Sequence, residues 1–171
     1  MKLFVTGAAG FIGSNYVRWL LANSDHEVTI LDAQLDNLSY EELERQVAAW
    51  KPGQTLLLNG KMLTGRDAAH KRIQDMVEQG QPLPVDFHNR VIYYVGPVDP
   101  VRNEVVGPAG PTTATRMDKF TDTMLGKTGL IAMIGKAERG PAAVESIRKH
   151  RSAYLMAVGG AAYLVSKAIR G

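Results

Sequence analysis

Five side chains in this sequence have types and spacings suited to binding a small anion with two carboxylates. Arg66 and His70 are four residues apart in a predicted helix, so they would share one helix face. Thr112 and Arg116 repeat this spacing at the start of another predicted helix, where free N–H groups also favour a carboxylate. Lys136 follows a predicted strand, and parallel α/β sheets bind ligands at strand ends. Guanidinium, ammonium and hydroxyl donors together would suit a small anion with two carboxylates.

Each of these residues also has a purely structural explanation. Arg66 and His70 could simply solvate a helix face, and a single histidine is most often structural. Thr112 could only cap a helix, and Lys136 could only be a surface charge. The grouping of the residues favours the binding site over these separate explanations. Asp67 is interpreted as an anchor for the neighbouring Arg66.

A second pattern of glycines lies near the N-terminus. Gly7, Gly10 and Gly13 directly follow the apolar run 2–6 and open a helical pattern. Glycines at this position let the backbone and the helix N-terminus approach a pyrophosphate closely. Asp32 ends the next β-branched run, where a carboxylate binds the ribose of adenosine. The four residues predict a cofactor-binding motif for NAD.

Residues 1–34 resemble the N-terminal Rossmann βαβ unit of extended short-chain dehydrogenases, especially nucleotide-sugar dehydratases and epimerases. The family's Tyr-x-x-x-Lys pair has one counterpart here, Tyr163 and Lys167, which the resemblance would make an acid or base and its activator. Those enzymes need a much longer chain with several more βα units. NAD binding is therefore expected to be weak, and a dehydrogenase-like NAD-binding protein is kept as an alternative.

Residues 35–171 resemble the β subunit or C-terminal domain of class I, iron–sulfur-dependent fumarate hydratases and L(+)-tartrate dehydratases. Five sequence blocks carry the resemblance, in the order and spacing of that family: 57–70, 93–97, 107–118, 134–136 and 157–163. The resemblance implies that the chain is the substrate-binding β portion of a hydro-lyase.

This resemblance also implies a role for each candidate residue. Arg66, Arg116 and Lys136 would bind the substrate carboxylates. Thr112 would lie beside the reacting carbon as the proton acceptor or its relay, and His70 would orient the site or shuttle protons. In the family, a 4Fe-4S cluster on a partner α subunit or domain acts as the Lewis acid. The sequence contains no cysteine, which agrees with that division, so the isolated chain is expected to be inactive.

Predicted strands and helices alternate along most of the chain, which favours an α/β fold with a largely parallel sheet. Helices are predicted over residues 36–49, 66–78, 113–125, 141–150 and 161–169. Strands are predicted over residues 2–6, 27–31, 55–58, 61–64, 90–95, 130–134 and 153–158. Asn59-Gly60 predicts a tight hairpin turn. The fold class expected is the swivelling β/β/α-type domain of class I fumarases, with a Rossmann-like βαβ unit added, as one compact domain.

The two resemblances meet near residues 33–35, and both halves look incomplete. The domains are therefore predicted as a dinucleotide-binding βαβ fragment over 1–34 and a fumarase-like β domain, truncated at its C-terminus, over 35–171. This organisation predicts a chimera, engineered or recombined. The alternative is a recombined fold without activity that retains at most nucleotide binding.

Composition and charge limit the classes of partner that are expected. The net charge is only +3 and no dense Lys/Arg stripe is present, so nucleic acid is not expected. No apolar run approaches the roughly 20 residues of a membrane-spanning helix. The expected partners are a small dicarboxylate and an iron–sulfur α subunit, with no metal held by this chain and a location in the cytoplasm.

Overall fold

The computed structural model describes residues 31–34, 40–52, 56–96, 98–101, 103–157 and 160–169. The chain divides into two compact units, Met1–Lys61 and Met62–Gly171, whereas one compact domain was expected. The boundary predicted between residues 34 and 35 separates two sequence resemblances, and it stays a prediction.

The described residues of the first unit form a two-stranded parallel sheet and one helix. Strand β1 (Leu31–Gln34) pairs in parallel with strand β2 (Leu56–Asn59), and helix α1 (Tyr40–Ala49) lies between them in the chain. Two glutamates in the first turn of α1 suit the positive end of the helix dipole. The glycine motif, the predicted strand over 2–6 and all but the last residue of the predicted strand over 27–31 lie outside the described residues, so the added Rossmann-like unit is not shown.

The second unit is built on a four-stranded parallel sheet, which confirms the α/β fold class. Its strands are β3 (Leu63–Thr64), β4 (Val91–Tyr93), β5 (Ala132–Gly135) and β6 (Ala153–Met156), and their order in the sheet follows the chain. Each neighbouring pair is parallel. Strands β4 and β5 are buried along their whole length, as expected where helices cover a parallel sheet.

The predicted hairpin at Asn59-Gly60 is wrong. Both flanking strands exist, but β2 pairs in parallel with β1, while β3 pairs in parallel with β4 and places Leu63 opposite Ile92. At Gly60 the chain only bends, with φ +122°. The pairing is decided by partners distant in sequence, which a local signal cannot identify.

Five helical segments accompany the sheet. They are α2 (Asp67–Glu78), a 3₁₀ helix (Ala114–Phe120), α3 (Thr121–Thr128), α4 (Pro141–Lys149) and α5 (Ala161–Ala168). Helix α2 closes at Gly80, which has φ +64° and is followed by a bond from the Gln81 N–H to the Met76 carbonyl (2.8 Å). The single helix predicted over 113–125 is instead the 3₁₀ helix followed by α3.

The core of the second unit lies under the helices. Met117, Phe120 and Met124 are almost fully buried. They pack in a cluster with Ile92 and Met133 from the sheet. Among the described residues, no helix is long and apolar enough to cross a membrane.

Candidate functional site

A short segment around Thr112 is inserted between the ends of two central strands. The Thr112 N–H donates to the carbonyl of Tyr94, which follows β4 (2.6 Å). The Lys136 N–H, just after β5, donates to the Thr112 carbonyl (3.2 Å), and the Ala114 N–H donates back to the Lys136 carbonyl (3.0 Å). Thr112 and Lys136 therefore lie together at the carboxyl edge of the parallel sheet, where such sheets bind ligands.

Arg66 lies at the same edge, at the end of the neighbouring strand. The Gly65 N–H donates to the Tyr93 carbonyl (3.1 Å), and Arg66 follows as the extended N-cap residue of α2. The guanidinium lies against Gly96, because a Cβ atom there would be 2.2 Å from its central carbon. Arg66 is exposed and forms no ion pair within the described part of the chain. Its charge is thus available to an anion.

His70 is buried beneath Arg66 and does not reach solvent. Its Nδ1 lies 3.0 Å from the Arg66 carbonyl, and its ring packs edge-on against Tyr94 and tilted against Phe120. Burial lowers the pKa of His70, so the ring is neutral. A carbonyl only accepts, so Nδ1 carries the proton. Nε2 has no hydrogen-bond partner in the described part of the chain. The geometry lets His70 fix the backbone of Arg66.

Arg116 is held by Asp67 through two parallel contacts. Arg116 Nε donates to Asp67 Oδ1 (3.0 Å), and Nη2 lies 2.7 Å from Oδ2. The expectation that Asp67 anchors Arg66 is therefore wrong, since its carboxylate faces Arg116 on the 3₁₀ helix. The ion pair brings Arg116 next to the start of α2, and 54% of its side chain stays exposed.

Lys136 and the residue after it have distinct backbone constraints. Lys136 is exposed and forms no ion pair among the described residues. Ala137 adopts a left-handed conformation (φ +62°), and its carbonyl accepts a bond from the Tyr154 hydroxyl (2.8 Å). The loop after β5 is thus fixed on both sides of the lysine backbone.

A buried ion pair behind this loop was missed by sequence reasoning. The Arg139 side chain is only 2% exposed, and its Nε donates to Asp118 Oδ1 (2.6 Å). Asp118 Oδ2 also accepts from the Gly140 N–H (2.7 Å). The available signal was Asp118 itself, a charged residue between the core residues Met117 and Phe120.

Two adjacent tyrosines at the end of β4 are also tightly held. Burial raises the pKa of Tyr93 and that of Tyr94 to about 12, so both hydroxyls are protonated at neutral pH. Tyr93 donates to the Ala109 carbonyl (3.0 Å), which fixes the glycine- and proline-rich loop that leads to Thr112. The loop therefore enters the site from a defined position.

The predicted site residues fall into separate groups. The structure places Arg66, Thr112, Arg116 and Lys136 at one edge of the second unit, with His70 behind them. Gly7, Gly10 and Gly13 lie outside the described residues, and of Asp32 only the backbone, in β1, is described.

The alternative tyrosine–lysine pair has its own surroundings on α5. Lys167 Nζ lies 5.2 Å from the centre of the Tyr163 ring, so the two residues share a helix face as expected. Lys167 also pairs with Glu104 (3.0 Å), and this carboxylate raises the pKa of Lys167. Tyr163 is largely exposed, so the described residues build no nicotinamide pocket around it.

An iron–sulfur cluster does not fit the residues of this chain. The sequence has no cysteine to ligate iron. Within the described residues, no group of three histidine, aspartate or glutamate side chains could hold a metal ion. The chemistry that these residues support is the binding and orientation of an anion.

The fold and the site together define an α/β domain that presents three cations and a threonine at the carboxyl edge of a parallel sheet. The chain belongs to the Fumarase C-terminus family, whose profile matches residues 15–171. It is 31% identical over 131 residues to the class I, aerobic fumarate hydratase of Escherichia coli, covering 77% of this chain and 24% of that protein.

Two further relatives come from distant organisms. Fumarate hydratase 2 of Leishmania major is 32% identical over 127 residues, which cover 74% of this chain and 22% of that protein. A putative L(+)-tartrate dehydratase subunit beta of Methanocaldococcus jannaschii is 31% identical over 129 residues, with 74% and 66% covered. The chain thus spans about a quarter of the fumarate hydratases that it matches and corresponds to their β-type portion.

The comparisons confirm the fumarase-like resemblance of residues 35–171 and do not support a separate dehydrogenase origin for residues 1–34. The family match begins at residue 15, inside that segment. Gly7, Gly10 and Gly13 lie before the match, whereas Asp32 lies within it.

Proposed function

We propose that this chain is the dicarboxylate-binding β portion of a fumarate or tartrate hydro-lyase. The observation that carries the proposal is the meeting of Arg66, Thr112 and Lys136 at one sheet edge, fixed by backbone bonds across β3, β4 and β5. The family to which the chain belongs supports the reaction class. No carboxylate in the described residues neutralises Arg66 or Lys136, so the edge suits an anionic substrate.

The three cations would bind the two carboxylates of the substrate. Arg66 and Arg116 both lie near the start of α2, and a guanidinium can bind a carboxylate through two parallel hydrogen bonds. Lys136 lies just after β5, two strands away in the sheet from β3, and supplies a point charge. Two separated groups of cations would select a molecule with two anionic ends.

Thr112 would act beside the reacting carbon as a relay in proton transfer. A threonine hydroxyl is a weak base by itself and needs an activating group. His70 cannot contact the ligand directly, because its ring is buried between Tyr94 and Phe120. Its bond to the Arg66 carbonyl supports a positioning role for His70 in place of a proton shuttle.

The Lewis acid would come from a partner. These residues contain no cysteine, so a 4Fe-4S cluster would be held by an α subunit or domain that faces the same edge. One relative is itself named as a subunit beta, which supports a two-part organisation. The isolated chain would bind substrate without turning it over. A cytoplasmic location is proposed together with this function.

The glycine motif supports a second, weaker proposal. Gly7, Gly10, Gly13 and Asp32 would let residues 1–34 act as a grafted Rossmann-like fragment that binds the ADP half of NAD. The described residues offer no walls for the nicotinamide, so ADP and NAD should bind about equally and weakly. Calorimetry with both nucleotides tests this, and NAD binding far tighter than ADP binding would revive the dehydrogenase alternative.

Calorimetric titration with paired ligands tests the main proposal. Succinate and L-malate should bind more tightly than butyrate, which has the same chain length and only one carboxylate. Lys136→Ala should weaken the binding of the dicarboxylates about 10- to 100-fold, which corresponds to one charged hydrogen bond of about 1.5–3 kcal/mol.

The control is Lys149→Ala, which removes a lysine that pairs with Asp122 on α3, away from the sheet edge. This variant should bind as the wild type does. Equal affinity for butyrate and succinate, or equal losses in the two lysine variants, would refute the proposed site.

A further inference from the structure

The guanidinium of Arg139 is one of the most completely engaged groups in the second unit. Besides its bond to Asp118, Nη2 donates to the hydroxyl of Thr121 and Nη1 lies 3.7 Å from the sulfur of Met133. Its plane also lies over the ring of Tyr154, with the central carbon 5.0 Å from the ring centre. Every nitrogen of the group therefore has a partner, which a buried cation requires.

Asp118 joins two segments through its two oxygens. It lies on the 3₁₀ helix, while both donors to its carboxylate, the Arg139 Nε and the Gly140 N–H, lie in the loop after β5. A Cβ atom at position 140 would lie 2.8 Å from Asp118 Oδ2, so a larger residue there would displace this carboxylate. The carboxylate thus clamps the end of this loop to the 3₁₀ helix.

The clamp lies directly behind the proposed dicarboxylate site. Lys136 begins the loop that Asp118 holds at its far end, and the Tyr154 hydroxyl holds Ala137 between them. Arg116 precedes Asp118 by two residues on the same 3₁₀ helix. One carboxylate that belongs to neither residue therefore adds to the backbone bonds that set the position of Lys136 relative to Arg116.

Stability alone is a weak explanation for such a pair. The free energy needed to remove two charges from water offsets most of their electrostatic attraction. Well-packed apolar residues often stabilise a buried position equally well. An ion pair with several directed bonds does define geometry more narrowly than apolar packing. Two cations that bind the two ends of one small anion must be held at a well-defined distance from each other.

We propose that Asp118 and Arg139 are positioning residues for the dicarboxylate site, which hold the loop that begins at Lys136 against the 3₁₀ helix that carries Arg116. The inference rests on the proposed function, and it extends that function to residues that do not touch the ligand. The site then has an inner support that is independent of the ion pair between Asp67 and Arg116.

The test compares Asp118→Asn with Asp122→Asn in the full chain. Both changes remove an aspartate charge that faces basic partners, but Asp122 lies on α3 and contacts Lys149 and His150. For each protein, calorimetry measures L-malate affinity well below the melting temperature, and ¹⁵N spectra report the backbone amides of the ligand-free protein.

Asp118→Asn should lower the affinity for L-malate at least tenfold and shift the amide signals of Lys136, Ala137 and Arg116. Asp122→Asn should leave the affinity and those signals unchanged. A merely structural role would lower the melting temperature and leave the affinity of the folded protein intact. If Asp118→Asn does not fold, Arg139→Lys replaces it, because lysine keeps the charge and loses the bond to Thr121.

The outcomes distinguish failure of the proposed function from failure of the positioning role. If the wild type fails to bind L-malate, the proposed function fails and the positioning role fails with it. If the wild type binds and the variant at Asp118 or Arg139 binds equally well, the positioning role alone is overturned.

Discussion

Arg116 and Asp67 form an ion pair with two contacts: Arg116 Nε lies 3.0 Å from Asp67 Oδ1, and Arg116 Nη2 lies 2.7 Å from Asp67 Oδ2. The pair ties the 3₁₀ helix to the first residue of α2 and so keeps Arg116 near Arg66. Because both partners are substantially exposed, the pair contributes little to stability, and its main consequence is geometric. Two arginines from distant parts of the sequence thereby face the same edge of the sheet.

A double-mutant cycle measures the strength of this link. Asp67→Asn and Arg116→Gln should each lower the free energy of unfolding slightly, and their coupling energy should be about 0.3–1 kcal/mol. Asp67 also lies in the first turn of α2, so its own effect includes the helix dipole, which the cycle cancels. Urea denaturation of the four proteins gives the value. A coupling energy of zero would contradict the pairing. A coupling energy that is unchanged in about 1 M salt would also contradict it, because the short Debye length at that concentration should screen an exposed ion pair.

The buried His70 predicts a pH dependence of stability. Desolvation lowers the pKa of His70 below the ordinary 6.5, while the Asp67 carboxylate opposes the shift and Arg139 adds to it. As the pH falls through 6.5, the unfolded chain therefore binds the proton first. The contribution of His70 to stability is complete above pH 6.5 and is lost progressively as the pH falls towards the folded pKa.

Urea denaturation from pH 7.5 to 5 checks this dependence. The free energy of unfolding of the wild type should decrease with falling pH, and His70→Leu should flatten that decrease even though the variant is less stable overall. An equal slope in His70→Leu and the wild type would show that His70 is not the responsible group.

Ala137 gives a test of backbone strain beside Lys136. A left-handed conformation costs an L-residue roughly 1–2 kcal/mol, and glycine relieves that cost but loses about 0.5–1 kcal/mol of chain entropy. Ala137→Gly should therefore stabilise the protein by about 0.5 kcal/mol. Ala142→Gly, at an exposed position in the first turn of α4, should destabilise it by about 0.5–1 kcal/mol. Thermal melts measure the change in stability of both variants. A loss of stability of equal size in both would contradict backbone strain at Ala137.

The elements of the second unit could be predicted because their signals are local. The apolar runs of β4 and β5 and the glycine that closes α2 are read from neighbouring residues. The position of Lys136 just after a strand follows from the same local patterns. Arg66, by contrast, is predicted inside the helix over 66–78, whereas the structure places it before α2 as the extended N-cap residue.

The contacts that shape the site could not be predicted, because their partners are far apart in sequence. Arg116 and Asp67 are separated by 49 positions, and Arg139 and Asp118 by 21. The sequence spacing instead suggested that Asp67 serves the adjacent Arg66. The predicted hairpin at Asn59-Gly60 failed for the same reason, since strand pairing depends on distant partners.

Activity of the isolated chain is a separate prediction. Fumarate hydration should be undetectable after anaerobic iron–sulfur reconstitution, because the chain has no cysteine to hold a cluster. The control is the same reconstitution with a complete class I fumarate hydratase, which should be active. Turnover that follows this chain alone through purification would contradict the division of roles between two parts.

The most direct measurement of the central claim is a ¹H–¹⁵N NMR titration of the chain with L-malate and tartrate. The account predicts saturable shifts of the amides at the carboxyl edge of the sheet, at Gly65, Arg66, Thr113, Ala114 and Lys136. It also predicts that Arg116→Ala greatly weakens them and that Arg148→Ala, at an exposed position on α4, does not. Shifts confined to other parts of the chain, or shifts at the edge that Arg116→Ala leaves unchanged, would contradict the claim that this edge binds dicarboxylates.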